Sequence, residues 1–389
     1  MGNMKNIYLD YNATTPIDPR VLEEMMPYLT EYYGNPSSIH SFGRKGKEAL
    51  DKAREQVSLL ISANPKEIIF TSGGSESANF AIKSTALKGL SDNKNHLITT
   101  KVEHECVLES FMFLERQGFE VTYLDVDSDG LIDLDELRDS IKDNTALVSC
   151  MYANNETGVI FPVEKIAEIV KERGALFHTD AVQAAGKIDI DLNKIPADLL
   201  SISAHKFYGP KSVGALFVRD SLSQNISLAP LIHGGGQERG KRSGTENVPG
   251  IVGLGVASAI AIEEMENDQV KIRNLRDGLL QSLKQNIKDI KLNGSIENML
   301  GNTLNLSILG AVGESLTMNL DIEGVAVSTG SACSEGAVDP SHVLSAMGLS
   351  REEAASSIRI SLGRFTEQED IDYAASVFPK VVDRIRQVK

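Results

Sequence analysis

The chain is poor in cysteine and has fewer basic than acidic residues. Three cysteines occur among its 389 residues, and no two of them form a C-x-x-C pair. This spacing argues against a disulfide framework and against a zinc ribbon. The formal net charge of −15 disfavours nucleic acid or an anionic membrane as the main partner.

Long apolar runs are also missing from the sequence. No run of about 18 apolar residues is present that would span a bilayer. No secretory apolar segment precedes the first polar stretch. We therefore expect a reduced, cytoplasmic protein that binds neither membrane nor nucleic acid.

Short apolar runs alternate with helical patterns through most of the chain. This alternation predicts an α/β fold whose sheet is covered on both faces. The predicted strands are Glu67–Thr71, His96–Thr100, Glu120–Leu124, Thr145–Met151, Ala175–Thr179, Leu199–Ser203 and Val213–Val218.

The pattern changes after about Ile251. A long helix is predicted at roughly Ala257–Gln285, followed by shorter strands and a closing helix at roughly Glu367–Arg386. We interpret this part as a smaller α+β domain. The predicted boundaries are 15–256 for the large domain and 1–14 plus 257–389 for the small one.

Cys333 lies in a run of small residues, Ser328–Gly336, that contains Gly330 and ends at Gly336. Glycine tolerates backbone angles that other residues avoid, so the run predicts a thiol on a loop that can swing. The alternative is a small buried cysteine without a role. The segment alone leaves both readings open.

The segment Ser72–Ser77 lies between a predicted strand and a predicted helix. Backbone N–H groups at a helix start, with glycines that allow close approach, form a phosphate cradle, and Ser75 adds a hydroxyl. An ordinary strand-to-helix turn with a serine cap is the alternative.

Three further candidates follow predicted strands. Asp180 lies at the carboxyl end of a strand, where open α/β sheets bind ligands, although a helix cap is equally compatible. Lys206, in a turn between two strands, is a Schiff-base candidate, whereas Lys211 better fits a solvated lysine. His104 is placed to stack on a ring or handle a proton, but a lone histidine is more often structural.

Two other motifs carry weaker signals. The glycine-rich, basic segment His233–Thr245 is suited to binding an anion, and the missing G-x-S-x-G motif argues against a serine hydrolase. Asp125–Gly130 with Glu136 fits a calcium-binding EF-hand loop. Because Phe119–Leu124 alternates like a strand, a polar turn entering a helix at Leu134–Ile141 is preferred.

A phosphate cradle, an acidic residue, an imidazole and a Schiff-base lysine are jointly what pyridoxal 5'-phosphate (PLP) requires. The carboxylate keeps the pyridine nitrogen protonated, and the lysine forms the covalent link and moves protons. The candidates above therefore converge on a PLP enzyme.

At this point the sequence resembles the cysteine desulfurases of the NifS/IscS type, within the class V aminotransferases. The motifs that carry the resemblance occur in family order over nearly the whole chain. They are Tyr8–Pro16, Gly34–Ser38, Phe70–Ser77, Val102–His104, Ala153–Gly158, His178–Gln183, Ser203–Lys206, His233–Thr245, Ser328–Gly336 and Ile358–Phe365. The resemblance implies PLP fold type I, with a large, mostly parallel-sheet α/β/α domain and a smaller α+β domain.

The resemblance also implies a set of cofactor-binding residues. They are Gly74, Ser75, His104, Asp180, Gln183, Ser203, His205, Lys206 and Thr245. Asp180 would pair with the pyridine nitrogen, while Gln183 and His104 would address the ring. Thr245 would reach the phosphate from the other subunit of a homodimer.

The implied catalytic residues are Lys206, His104 and Cys333, with Asn155 and Arg359 binding the substrate carboxylate. L-cysteine would become L-alanine, and Cys333 would attack as thiolate and take the sulfur as a persulfide. His104 would relay protons.

The resemblance implies an iron–sulfur scaffold or another sulfur-acceptor protein as the partner. No resident metal is expected, although Cys333 is able to ligate a nascent iron–sulfur cluster transiently. Cys106 and Cys150 match no functional position and are interpreted as structural.

Selenocysteine lyase and aminotransferase are the alternatives within the fold. Cys333 argues against transamination, which needs no thiol. A non-enzymatic scaffold that keeps the fold is disfavoured by the intact Lys206, Asp180 and Arg359.

Overall fold

The computed structural model describes residues 6–220, 228–329 and 340–387. The strands are β1 Ile7–Tyr8, β2 Ile68–Thr71, β3 His96–Thr100, β4 Glu120–Leu124, β5 Thr145–Ser149, β6 Leu176–Asp180, β7 Leu199–Ser203, β8 Gly214–Val218, β9 Ile290–Leu292, β10 Thr303–Ile308, β11 Val325–Ala326 and β12 Ser357–Ser361. The helices are α1 Pro19–Thr30, α2 Ser41–Leu60, α3 Gly74–Ser91, α4 Glu105–Arg116, α5 Leu134–Ser140, α6 Val163–Glu172, α7 Val248–Asn286, α8 Gly313–Ile322, α9 His342–Ala346, α10 Arg351–Ala355 and α11 Gln368–Gln387.

A seven-stranded sheet forms the centre of the larger part, in the order β2-β8-β7-β6-β5-β3-β4. Strand β8 is antiparallel to both its neighbours, and the other neighbouring pairs are parallel. Successive residues of β2 face opposite sides, since Ile69 packs in one apolar cluster while Ile68 and Phe70 pack in another. The mostly parallel sheet covered on both faces is therefore confirmed.

A third apolar cluster lies around the three-stranded sheet β12-β10-β9. It includes Ile7 and Leu9 from the amino-terminal end and Leu279 and Leu283 from α7. Helix α7 also contributes Ala257 to the cluster that contains Ile68 and Phe70, so one continuous helix joins the core of the large sheet to that of the small sheet. We propose that the two domains follow these cores, with α7 shared between them.

The predicted start of the long helix, at Ala257, is wrong by nine residues. Helix α7 begins at Val248, after the Asn247 side chain accepts a hydrogen bond from the Gly250 N–H. An 18-residue window of this helix has the length and composition of a membrane span, and 61% of that window is buried inside the protein. Such burial is typical of a core helix.

The Asp125–Gly130 segment forms a turn after β4, which confirms the strand predicted at its flank. Asp127 Oδ1 accepts hydrogen bonds from the N–H groups of Asp129 and Leu131, so this carboxylate shapes the turn itself. Helix α5 then begins after the Asp133 cap.

Candidate functional site

A cavity of about 160 Å³ opens where the parallel strands end. Most of the residues singled out in the sequence line it. The lining residues are Gly74, Ser75, His104, Cys106, Met151, Ala153, Asn155, Asp180, Val182, Gln183, Ser203, His205 and Lys206. One cavity therefore combines the predicted cradle, acid, imidazole and lysine.

The start of α3 forms one end of the cavity. Gly73 caps the helix with a φ of 145°, a conformation that favours glycine. A Cβ on Gly74 would lie 2.6 Å from Val182 Cγ2, so a side chain there would clash with the chain that follows β6. The first-turn N–H groups lack acceptors within the helix and suit an anion.

His205 lines the same end of the cavity. Burial, followed by the charges of Lys206 and Lys211, lowers its pKa to about 4. Its Nδ1 lies 3.2 Å from the Thr14 hydroxyl. The neutral form of the imidazole is therefore favoured at pH 7, and this form is suited to hydrogen bonding with an anion rather than to charge pairing.

Asp180 ends β6 and is 6% exposed. Its Oδ1 accepts a hydrogen bond of 2.9 Å from the Val182 N–H. Burial raises the pKa of this carboxyl, while the charges of His104 and Lys206 act in the opposite direction. A cationic ring nitrogen would favour the ionised carboxylate further.

Lys206 follows β7 in a short helical turn. Its Nζ donates hydrogen bonds to the backbone carbonyls of Asn12, at 2.6 Å, and Ala13, at 2.9 Å. Burial and the Arg359 charge lower its pKa to about 8, against the opposing effect of Asp10. A neutral, nucleophilic amine is thus readily reached near physiological pH.

His104 caps α4, and its Nδ1 accepts a hydrogen bond of 3.1 Å from the Cys106 N–H. Because Nδ1 is the acceptor, the neutral ring carries its proton on Nε2. The Cys106 sulfur lies 3.1 Å from the same nitrogen. No sequence pattern indicates this contact, and Cys106 was interpreted as a structural residue.

Both cysteines among the described residues are poor thiolates. Burial, followed by the Asp180 charge, raises the pKa of Cys106. Burial and the Glu103 charge raise the pKa of Cys150 well above its ordinary value. Cys333 lies outside the described residues.

Arg359 contacts the backbone of Asn155, which lines the cavity. Its Nη1 donates to the Asn155 backbone carbonyl at 2.9 Å, and its Nη2 forms an ion pair of 2.8 Å with Asp10. Its buried Nε finds no acceptor among the described residues. The backbones of Arg359 and Ser328 are hydrogen-bonded in both directions, which ties Arg359 to the start of the segment that contains Cys333.

Thr245 is the one predicted cofactor-binding residue that does not line the cavity of its own chain, and of the two predicted substrate-binding residues Arg359 does not line it either. Thr245 lines a separate cavity with Ser72 and Arg242. The loop that carries it is fixed by two ion pairs, Arg54–Glu238 and Arg242–Glu76.

Glu103 is a buried acid that the sequence analysis did not single out. It is fully buried, and burial raises its pKa to about 8. Its Oε1 accepts a 2.7 Å hydrogen bond from the Met151 N–H. Burial therefore favours the protonated, uncharged form of this side chain, which supports the cavity wall through its hydrogen bond to Met151.

The aminotransferase class-V family model matches residues 7–374. The chain belongs to this family, whose members use PLP. Among curated relatives it is similar to the cysteine desulfurase IscS of Clostridium botulinum, with 49% identity over 99% of this chain and 96% of the relative. A cysteine desulfurase of a Nostoc species is 50% identical over 98% of this chain and 94% of its own length.

Solved structures agree with the family and the fold. A NifS-like protein matches with a TM-score of 0.91 and 41% identity, covering 97% of this chain and all of the other. SspA, solved in complex with cysteine, matches with a TM-score of 0.82 and 40% identity over 93% of this chain and 100% of SspA. The resemblance stated from the motifs and the PLP type I fold are thus confirmed.

Proposed function

We propose that this chain is a cytoplasmic, PLP-dependent cysteine desulfurase that converts L-cysteine to L-alanine and passes the sulfur to Cys333 as a persulfide. The observation that carries the proposal is the single cavity that contains both Lys206 and Asp180. The lysine has a pKa lowered to about 8, and the carboxylate is buried at the end of the neighbouring strand. This pair suits a cationic pyridine ring and its covalent attachment.

The cavity offers PLP a fitting residue for each of its polar groups. The start of α3, with Gly74 and Ser75, together with Ser203 and His205, would hold the phosphate. Asp180 would pair with the ring nitrogen. Gln183 and His104 also line the cavity, and we assign them to the ring, with His104 stacking on it.

Bound PLP would supply an electron sink for the carbanion formed at the substrate Cα. Lys206, released from the cofactor, would hold and move the Cα proton, because its amine is readily neutral. His104 would donate from Nε2, the nitrogen that remains when Nδ1 accepts the helix N–H. Both residues line the cavity.

The substrate carboxylate would bind at Asn155 and Arg359. Asn155 lines the cavity, and Arg359 contacts its backbone at 2.9 Å. A guanidinium that is 5% exposed gives a strong, weakly screened anion site. We infer that the substrate competes with Asp10 for this cation.

Cys333 is our candidate for the sulfur acceptor. Cys106 and Cys150 are disfavoured by their raised pKa values, because a thiolate is needed for attack on sulfur. An iron–sulfur scaffold or another sulfur-acceptor protein would then remove the persulfide sulfur. To test this transfer, the enzyme is first loaded with a Cys333 persulfide whose outer sulfur is labelled and is then mixed with a candidate scaffold. Label that stays on the enzyme would argue against the transfer.

We also propose a homodimer in which Thr245 completes the phosphate site of the partner. Exposed apolar side chains cluster on α1, α2 and the loop between them: Leu22, Met26, Leu29, Tyr33, Ile39 and Phe42. Ile39 is 93% exposed, which is costly for a monomer in water. Sedimentation should give twice the chain mass of 42.2 kDa, and a stable monomer would contradict the proposal.

The function is tested by purification with PLP followed by an assay with L-cysteine. The protein should be yellow and should form alanine and, with a reductant, sulfide. The rate of PLP uptake by the apoprotein should rise with pH through about 8, since only the neutral Lys206 amine attacks the aldehyde. A colourless protein that takes up no PLP would refute the proposal.

A further inference from the structure

We propose that Lys187 is a positioning residue that acts on bound PLP through Gln183. The inference rests on the proposed function, since it concerns the cofactor in the same cavity. Lys187 does not line that cavity, but Gln183 does. Lys187 was not among the candidates of the sequence analysis.

The contact between the two side chains is direct. Lys187 Nζ donates to Gln183 Oε1 at 2.6 Å and to Asn12 Oδ1 at 3.3 Å. Gln183 Nε2 donates to the Asn12 backbone carbonyl at 3.0 Å. Gln183 and Asn12 are both buried, at 4% and 1% exposure.

These partners fix the orientation of the Gln183 amide. Its oxygen faces the lysine amine, which donates, and its nitrogen faces a backbone carbonyl, which only accepts. A flipped amide would place two oxygens against each other at Asn12. Gln183 therefore presents the second N–H of Nε2, rather than its oxygen, as its remaining group for a ligand.

Lys187 also strengthens that N–H as a donor. A hydrogen bond to the oxygen of an amide polarises the group and makes its nitrogen a better donor, an effect that grows at low dielectric. An anionic ring oxygen of PLP next to Gln183 would thus be stabilised. A stabilised ring anion holds the proton of the adjacent Schiff base less tightly, so the pH at which that proton leaves is lowered.

The position of Lys187 is set by the backbone before it. Gly186 has a φ of 71°, and a Cβ there would lie 2.6 Å from the Phe207 Cβ. The turn that carries Lys187 is thus packed against the residue that follows Lys206. Both lysines also line a small cavity of about 40 Å³ with Asp268.

The charges around Lys187 fit a role as a donor rather than as a second cation. Burial, followed by the charges of Lys206 and Arg359, lowers its pKa well below the ordinary value. The hydrogen bond to Gln183 does not need the charged form, because a neutral amine still donates. Lys206 shares the Asn12 carbonyl with Gln183, and Lys187 donates to the side-chain oxygen of Asn12, so both lysines contact the same residue.

The test is a spectroscopic titration of the PLP-loaded protein, without substrate. The visible absorbance of wild type and Lys187→Met is followed against pH. Methionine matches the lysine side chain as far as Cε and lacks the Nζ donor. We expect the midpoint of the colour change to rise by roughly half a pH unit or more in Lys187→Met.

The same substitution in a Gln183→Ala background separates positioning from a direct effect. If Lys187 acts through Gln183, Lys187→Met should cause no further shift there. An unchanged midpoint in the single variant, or an equal shift in both backgrounds, would overturn the inference. Lys187→Leu, which also lacks a donor, is used in the same comparison should the methionine variant not fold.

Wild type is the reference that separates the two proposals. A wild-type protein that develops no colour with PLP contradicts the proposed function itself. A coloured wild type whose midpoint is shared by Lys187→Met contradicts only the role of Lys187. Lys187→Arg keeps a donor and should retain a midpoint closer to that of wild type than Lys187→Met does.

Discussion

Replacement of Lys206 by alanine is expected to lower alanine formation from L-cysteine by roughly a thousandfold or more. The variant loses both the amine that attaches PLP and the base that takes the Cα proton. The helix α3 start and Asp180 remain in place, so PLP should still bind without a covalent link. Alanine is measured by chromatography under single-turnover and steady-state conditions.

Lys211→Ala is the matched control for this prediction. Lys211 lies five residues further along the same segment and is exposed to solvent. It does not line the cavity, so its removal should leave turnover near that of wild type. Normal turnover in Lys206→Ala would refute the assignment of Lys206 as the base.

Cys333→Ala is expected to abolish persulfide formation and to reduce sulfide release to background. The reason is the absence of another suitable thiol among the described residues, since burial raises the pKa of both Cys106 and Cys150. PLP binding should be unaffected, and the variant should remain yellow. Persulfide is detected by alkylation and mass spectrometry after one turnover.

Cys150→Ala provides the control, because it also removes a single thiol. Cys150 is buried in the core, so its loss should lower the melting temperature slightly but leave persulfide formation intact. A sulfide rate in Cys333→Ala equal to that of wild type would show that another acceptor takes the sulfur. The role of PLP would survive that result.

The central sheet was predictable because its signals are local. Strands β3, β4 and β7 have the predicted bounds, since each is a short run of apolar and β-branched residues, continuous or alternating with polar ones. The start of α7 was not predictable in this way. Glycine is unfavourable inside a helix, so Gly253 and Gly255 argue locally against one. In the structure, however, a Cβ at Gly255 would lie only 2.7 Å from the Ala53 Cα of α2. Close helix packing selects glycine there, against its local preference.

The candidate site likewise contains some residues whose placement the sequence predicts and some contacts that it does not predict. Asp180 ends β6 and Lys206 comes three residues after β7, so the sequence predicts their placement at one edge of the sheet. The contacts of Lys187 with Gln183 and Asn12 depend on how distant segments meet. Sequence patterns carry no signal for such contacts unless a family resemblance supplies one.

Asn12 has a consequence for how the protein matures during synthesis. Its backbone N–H donates to Ser361 Oγ, 349 residues later, and its carbonyl receives Lys206. The strand before it, β1, pairs with β11, Val325–Ala326. An early segment of the chain must therefore wait until a segment 349 residues later has left the ribosome. We expect the cavity to be completed as a late event of folding, and a nascent chain stopped before β12 to bind PLP poorly.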